Sequence, residues 1–213
     1  MKGTFITFEG SEGCGKSTQS KLLKEHLEEQ GYKVLFVLEQ SGTVISEKIR
    51  QILLDKKNDG MSATCEMLLY MAARSQIVEE VIKPALGKGM VVICDRFLDS
   101  TLAYQGYGLG MDLKVIQGIG TLATQGVSPD LTILLDVPLE QGLAHRKDSQ
   151  DRIEKRSLEY HQKVRKGYFA LARSQPKRIK VITVEDSMAE TQKSIRKVVN
   201  TAIGLRCSVS GER

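Results

Sequence analysis

The stretch Thr4-Phe5-Ile6-Thr7-Phe8-Glu9-Gly10-Ser11-Glu12-Gly13-Cys14-Gly15-Lys16-Ser17-Thr18 decides the fold. A short apolar run, read as a strand over Thr4 to Phe8, leads into a complete G-x-x-x-x-G-K-[ST] motif. A helical pattern then runs from Lys16 to Gln30 and stops at Gly31. Strand, glycine-rich loop and helix in that order form the context in which the motif binds phosphate. Glycines let backbone N–H groups converge on phosphate oxygens, and the helix N-terminus adds the positive end of its dipole. Gly10, Ser11, Glu12, Gly13, Cys14, Gly15, Lys16, Ser17 and Thr18 are therefore read as an ATP site, with Lys16 on the β- and γ-phosphates and Ser17 on Mg²⁺. The motif does not say what receives the phosphate.

Outward from this loop, further short apolar runs are read as strands: Lys33 to Leu38, Met90 to Cys94, Leu131 to Asp136 and Lys180 to Val184. Helical patterns lie between them at Ser46 to Leu54, Cys65 to Leu86, Leu113 to Thr124 and Ile153 to Ser174, and a last one runs from Met188 to Ile203. Strands that are apolar throughout, alternating with helices, predict an α/β fold: a five-stranded parallel sheet with helices on both faces. A single domain is expected over residues 1–205, with a polar, frayed tail over 206–213.

Composition narrows the class. The chain has 213 residues, 41% of them hydrophobic and 27% charged, the balance of an ordinary globular domain. No apolar run approaches a membrane span and no secretory leader opens the sequence, so the expected location is the cytoplasm. The four cysteines, Cys14, Cys65, Cys94 and Cys207, lack the spacing of a disulfide framework or zinc site. A net charge of +5 suits either nucleic acid or small anionic ligands. Its basic residues are spread along the chain and no nucleic-acid-binding motif accompanies them, which favours the small ligands.

Two strands end in an aspartate, Asp95 and Asp136, and either could supply a carboxylate on the magnesium side. Asp95 is the better placed, because Arg96 follows it and would bring a phosphate clamp to the same sheet edge.

Taken together, Phe8 to Thr18, then Asp95-Arg96-Phe97 with Ser100-Thr101-Leu102-Ala103-Tyr104-Gln105-Gly106, then Asp151-Arg152-Ile153-Glu154, resemble bacterial thymidylate kinases over roughly residues 3 to 200. The resemblance implies transfer of phosphate from ATP to dTMP, with Mg²⁺, in dTTP synthesis, by a homodimer with a short lid at about residues 146–153. It places Glu12 on the acceptor 3′-hydroxyl, Tyr70 against the thymine ring and Arg74 on its O4. Arg50 and Arg96 would hold the acceptor phosphate, while Thr101, Tyr104 and Gln105 surround the base and the sugar. Since Gly13 rather than a basic residue follows Glu12, the catalytic arginine is expected from the lid, as Arg152 beside Lys16 and Arg96. On that reading Arg152→Ala lowers kcat with little change in dTMP affinity.

Each of these residues also has a plainer reading: Glu12 as a solvated loop acid, Tyr104 as a core aromatic, the segment around Arg152 as charged surface. The chain departs from the family at Leu38-Glu39-Gln40-Ser41-Gly42-Thr43, where an Arg-Glu-Pro-Gly-Gly-Thr run is usual. Glu39 and Thr43 are carried over from it. Glu185-Asp186-Ser187-Met188 replaces the usual adenine-side signature, so no adenine contact is assigned there. Alternatives are a kinase for another nucleoside monophosphate or a nucleoside, a P-loop switch ATPase, or a paralogue that has lost activity.

Overall fold

The computed structural model describes residues 3–144 and 152–209. Its elements in chain order are β1 (Thr4–Glu9), α1 (Lys16–Glu29), β2 (Val34–Leu38), α2 (Val44–Leu54), α3 (Ala63–Ile77), α4 (Lys83–Gly87), β3 (Val91–Asp95), α5 (Leu98–Thr101), α6 (Leu113–Thr124), β4 (Leu131–Asp136), α7 (Leu139–Ala144), α8 (Leu158–Ser174), β5 (Ile179–Thr183) and α9 (Met188–Val209). The sheet is parallel throughout, in the order β2-β3-β1-β4-β5. Every residue of β1 and β3 is buried, which is why these strands read as unbroken apolar runs.

On one face of the sheet, Ile6, Phe8, Ile93 and Ile133 pack with Leu23 and Leu27 of α1 and Ile195 and Val199 of α9. On the other, Phe5, Val92 and Cys94 meet Ile77, Val78 and Ile82. Each fully buried Leu, Ile or Phe contributes about 1.5–3 kcal/mol relative to exposure. Cys14 and Cys94 are buried free thiols, whereas Cys65 is exposed.

The long helix expected from Cys65 to Leu86 is divided. α3 begins earlier, capped by Ser62, and a π-helical turn over Val78–Ile82 separates it from α4. Pro84 accounts for the break: it has no N–H, and its ring crowds the carbonyl of Glu80, so the regular ladder opens just before it. The helix expected from Ile153 starts instead at Leu158, where the Ser157 side chain accepts from the Tyr160 N–H at 3.3 Å. Helix α9 runs to Val209, past both the Ile203 end and the Arg206 start of the tail read from sequence. No proline interrupts it, and one glycine, Gly204, costs only about 1 kcal/mol. The lid core at 146–151 and the end of the tail at 210–213 lie outside the described residues.

A short helix α5 followed by a π-helical segment, Leu102–Gly108, has no counterpart in the sequence reading. Gly106 and Gly108 make this segment fit, since an added Cβ would collide with Leu113 at one and Tyr160 at the other.

Candidate active site

The loop between β1 and α1 opens at the carboxyl edge of the sheet, where open parallel sheets bind ligands. Gly13 holds φ +72°, and an added Cβ would strike the carbonyl of Gly142 in α7, so no other residue fits there. Gly15 enters α1 at φ +80° with no side-chain cap, which leaves the first N–H groups of the helix to a ligand. Lys16 is buried and folds back on its own loop, donating from Nζ to the carbonyls of Ser11 (2.7 Å) and Gly10 (3.0 Å). Ser17 Oγ donates to Asp95 Oδ2 at 2.5 Å.

The two aspartates differ in their surroundings. Asp136 is engaged by Arg165 through two bonds, 2.7 and 2.8 Å, whereas Asp95 lines the cleft beside Ser17. One hydroxyl and one carboxylate are hard oxygen donors. They suit Mg²⁺, which takes its remaining oxygens from phosphates and water.

The cleft, about 410 Å³, brings together most of the residues singled out from sequence. Glu12, Gly13, Gly15, Lys16, Ser17 and Thr18 line its loop side. Glu39, Arg50, Tyr70, Asp95, Arg96, Thr101, Tyr104 and Gln105 line the rest. Gly10, Ser11 and Cys14 lie within the loop and behind the cleft surface.

Arg96 is the centre of a hydrogen-bonded cluster in the cleft. Its backbone is held at φ +72°, a conformation costly for a side chain of this size and characteristic of functional positions. Its guanidinium donates to Glu12 Oε1 (2.7 Å), Tyr104 Oη (3.0 Å), Tyr168 Oη (3.1 Å) and Ser100 Oγ (3.3 Å), and lies 4.9 Å from the Tyr104 ring centroid. Tyr104 Oη also donates to Glu12 Oε1 at 2.7 Å. Burial pushes the Glu12 carboxyl up, but the charges of Arg96 and Lys16 outweigh it and hold the group down at about 2. Burial likewise opposes charge on Arg96, and Glu12 keeps it charged. Glu12 is thus an anion pinned by a neighbouring cation, which explains a carboxylate inside a phosphate loop. The Tyr104 ring packs edge-on against Tyr160 and Tyr168 as a core aromatic would, while its hydroxyl donates to Glu12.

The sequence reading passed over three residues of this network. Glu9 ends β1 fully buried. It accepts from the Phe97 N–H (2.8 Å), Ser100 Oγ (2.6 Å) and Tyr168 Oη (2.9 Å), and so fixes the turn that carries Arg96. Burial, followed by Asp99, raises its carboxyl to about 8. A lone acid closing an apolar strand is the signal, because a buried carboxyl requires partners. Ser100 lies in the family motif without a role of its own, and Tyr168 carries no comparable mark.

Arg74 is 2% exposed and sits beneath the cleft. It is ion-paired with Glu39 and donates to Thr101 Oγ1 (2.8 Å) and the Phe97 carbonyl (3.1 Å). The altered loop after β2 is shaped by Gln40 at φ +56° and Gly42 at φ +106°. Thr43 and Ser46 then exchange bonds as a capping box at the start of α2. Arg152 is not brought to the cleft. It is buried, ion-paired with Glu66 at 2.5 Å, and donates from Nε to the carbonyl of Leu53 at 3.1 Å.

A glycine-rich loop with its lysine and Ser17–Asp95 pair, sharing one cleft with an arginine-centred cluster, is the arrangement of a nucleotide-dependent phosphotransferase of the P-loop kinase class. A sequence model of thymidylate kinase matches residues 8–195. Thymidylate kinase of Geotalea uraniireducens is 48% identical over 205 residues, covering 92% of this chain and 96% of that protein. That of Symbiobacterium thermophilum is 47% identical over 210 residues, covering 98% of each. The crystal structure of thymidylate kinase from Ehrlichia chaffeensis superimposes with a TM-score of 0.77 at 35% identity, over 94% of this chain and 99% of that one. The chain belongs to the thymidylate kinase family.

Proposed function

We propose that the protein transfers the γ-phosphoryl group of ATP to dTMP, giving dTDP and ADP, in the synthesis of dTTP. The observation that carries this reading is the Glu12–Arg96–Tyr104 cluster, one hydrogen-bonded unit lining the same cleft as Lys16. A phosphate monoester has its second pKa near about 6, so the acceptor is already largely dianionic at neutral pH and needs no general base. An oxygen of that phosphate forms the new bond to the γ-phosphorus. The bond to the β–γ bridging oxygen breaks, and ADP departs with the electron pair.

Each residue has a task in that transfer. Lys16 leaves the Gly10 and Ser11 carbonyls for the β- and γ-phosphates, and Arg96 holds the acceptor phosphate, with exposed Arg50 beside it. Glu12, an anion, accepts from the sugar hydroxyl and repels a phosphate placed in the wrong register. Tyr70 stacks on the base, while Thr101, Tyr104 and Gln105 enclose base and sugar. Ser17 and Asp95 would hold Mg²⁺, and neutralising the β- and γ-phosphate oxygens is the chemistry that ion supplies when bound.

Leu122 is 79% exposed, and Leu68 and Val115 are about half exposed, on the adjoining helices α3 and α6. This apolar face supports a homodimer. Among the described residues no helix is long and apolar enough to cross a membrane. We place the enzyme in the cytoplasm with its substrates.

ADP release with Mg-ATP, measured against a panel of nucleoside monophosphates and thymidine, tests the reading. Activity dominated by dTMP with a silent acceptor-free control is the expected result. Preference for another acceptor, or ADP release without one, overturns it in favour of a retuned kinase or a switch ATPase. A monomer by sedimentation at assay concentration would overturn the dimer.

A further inference from the structure

Glu66, in the first turn of α3, is completely buried. A carboxylate taken fully out of water survives only if its oxygens are filled, and here both are. Oε1 accepts from Gln105 Nε2 at 2.8 Å. Oε2 accepts from Arg156 at 2.7 Å and pairs with Arg152 at 2.5 Å. Arg152 extends further, because its Nε takes the Leu53 carbonyl, one of the last-turn acceptors of α2 that no helical N–H satisfies. Arg156 lies 4.7 Å from the Tyr160 ring centroid and donates to its hydroxyl at 2.7 Å. A single buried carboxylate thereby fastens α2, α3, the segment carrying Gln105 and residues 152–156 to one another.

What these four pieces share is the cleft. Ile153 and Glu154, between the two arginines, line it, as do Leu54 at the end of α2 and Gln105. Glu66 also takes one N–H of the Gln105 amide, which leaves that side chain its second N–H and its carbonyl oxygen.

We propose that Arg152 and Glu66 are positioning residues for the acceptor site: Arg152 locks residues 152–156 and the end of α2 onto Glu66, and thereby builds the cleft wall without touching the transferring phosphate. The inference rests on the proposed dTMP kinase reading. It reverses the expectation for Arg152 drawn from sequence, in which the residue acts on kcat alone. A wall residue acts on the acceptor before any ATP arrives, whereas a phosphate clamp acts only when the donor is present.

Calorimetric binding of dTMP in the absence of ATP separates the two roles. It is measured on the full-length enzyme, on Arg152→Met, Arg152→Lys and Glu66→Gln, and on the double variant Glu66→Gln/Arg152→Met. The expected result is a dTMP Kd raised about tenfold or more by Arg152→Met and by Glu66→Gln. The KM for dTMP should rise in step and kcat should fall less. The double variant should bind no more weakly than the worse single one, because both lose the same contact. Arg152→Lys should fall between wild type and Arg152→Met. If Arg152→Met fails to fold, as thermal unfolding would show, Arg152→Lys and the isosteric Glu66→Gln carry the comparison. An unchanged dTMP Kd with a lowered kcat, or additive losses in the double variant, overturns the proposal. If the unmodified enzyme does not phosphorylate dTMP, it is the functional reading that fails, and the same comparison with the acceptor it does use still judges the wall.

Discussion

Two glutamates each anchor an arginine from far along the chain, and the two pairs are built to opposite ends. Glu12 and Arg96 meet at 2.7 Å in the cleft, each side chain nearly one-fifth exposed, with tyrosine and serine hydroxyls around them. Glu66 and Arg152 meet at 2.5 Å with 0% and 5% of their side chains exposed. A partly wet pair can trade its partner for an incoming phosphate or hydroxyl at modest cost, since water and neighbouring dipoles already share its charge. A dry pair cannot, because separating it strands a charge where nothing replaces the lost attraction. The first arrangement is what a ligand-binding cluster needs, and the second is what a structural rivet needs. Both consist of the same two residue types, so surroundings rather than residue identity separate binding from scaffolding.

The sharpest way to break this comparison is to remove one partner from each pair and ask what is lost. Arg96→Met should lower kcat/KM on the order of 10³-fold, the scale of losing an arginine that neutralises transferring phosphates, while thermal unfolding shifts little. Lys16→Met should do the same from the donor side. Glu66→Leu should behave oppositely, destabilising by about 3–5 kcal/mol in chemical unfolding because two guanidiniums lose their buried anion. If Arg96→Met unfolds the protein while Glu66→Leu leaves stability intact, the distinction between the two pairs collapses.

A milder contrast comes from pH, through Glu9 and Glu12, three positions apart. Glu12 is held at about 2 in the folded protein against 4.5 for the free group. Its contribution is present above pH 4.5 and is lost as pH falls toward 2. Glu9 is raised from 4.5 to about 8. The native state therefore keeps a proton that the unfolded chain has released, so stability declines as pH rises from 4.5 to 8 and levels off above. Urea unfolding at pH 5, 6.5 and 8 should show Glu9→Gln gaining on the wild type by about 1–3 kcal/mol across that window. A constant difference would mean that Glu9 is ionised in the native protein.

The contrast between the pairs also explains what could be read from sequence. The phosphate loop was legible because its chemistry is local: glycines, lysine and serine act within eight consecutive residues, flanked by a strand and a helix whose periods are plain. The parallel sheet was legible for the same reason, since strands buried on both faces are apolar without alternation. Arg96 stood out because it adjoins Asp95 at a strand end. Arg152 was read as part of an exposed, charged lid, and nothing in the spacing of positions 66 and 152 says that they touch across 86 residues of chain. Glu66 was hidden by the same logic: a buried acid within a helix is defined by partners that only the tertiary fold supplies. The π-helical turns were equally out of reach, although Pro84 marked one of them.

The smallest expected effect concerns an ion pair that neither binds nor rivets. Asp136 ends β4 much as Asp95 ends β3, and sequence alone allowed either to serve the metal. Arg165 closes both oxygens of Asp136 in a fork that is about one-third exposed on the arginine side and lies outside the cleft. Surface pairs of this kind are worth about 0–1 kcal/mol. Asp136→Asn should therefore change stability by no more than about 1 kcal/mol and leave kcat, and its dependence on Mg²⁺ concentration, as in the wild type. Asp95→Asn should shift that Mg²⁺ dependence to higher concentration, because its carboxylate is the one beside Ser17. A shift with Asp136→Asn and none with Asp95→Asn would exchange the two residues, and would place the magnesium side of the cleft at β4 rather than β3.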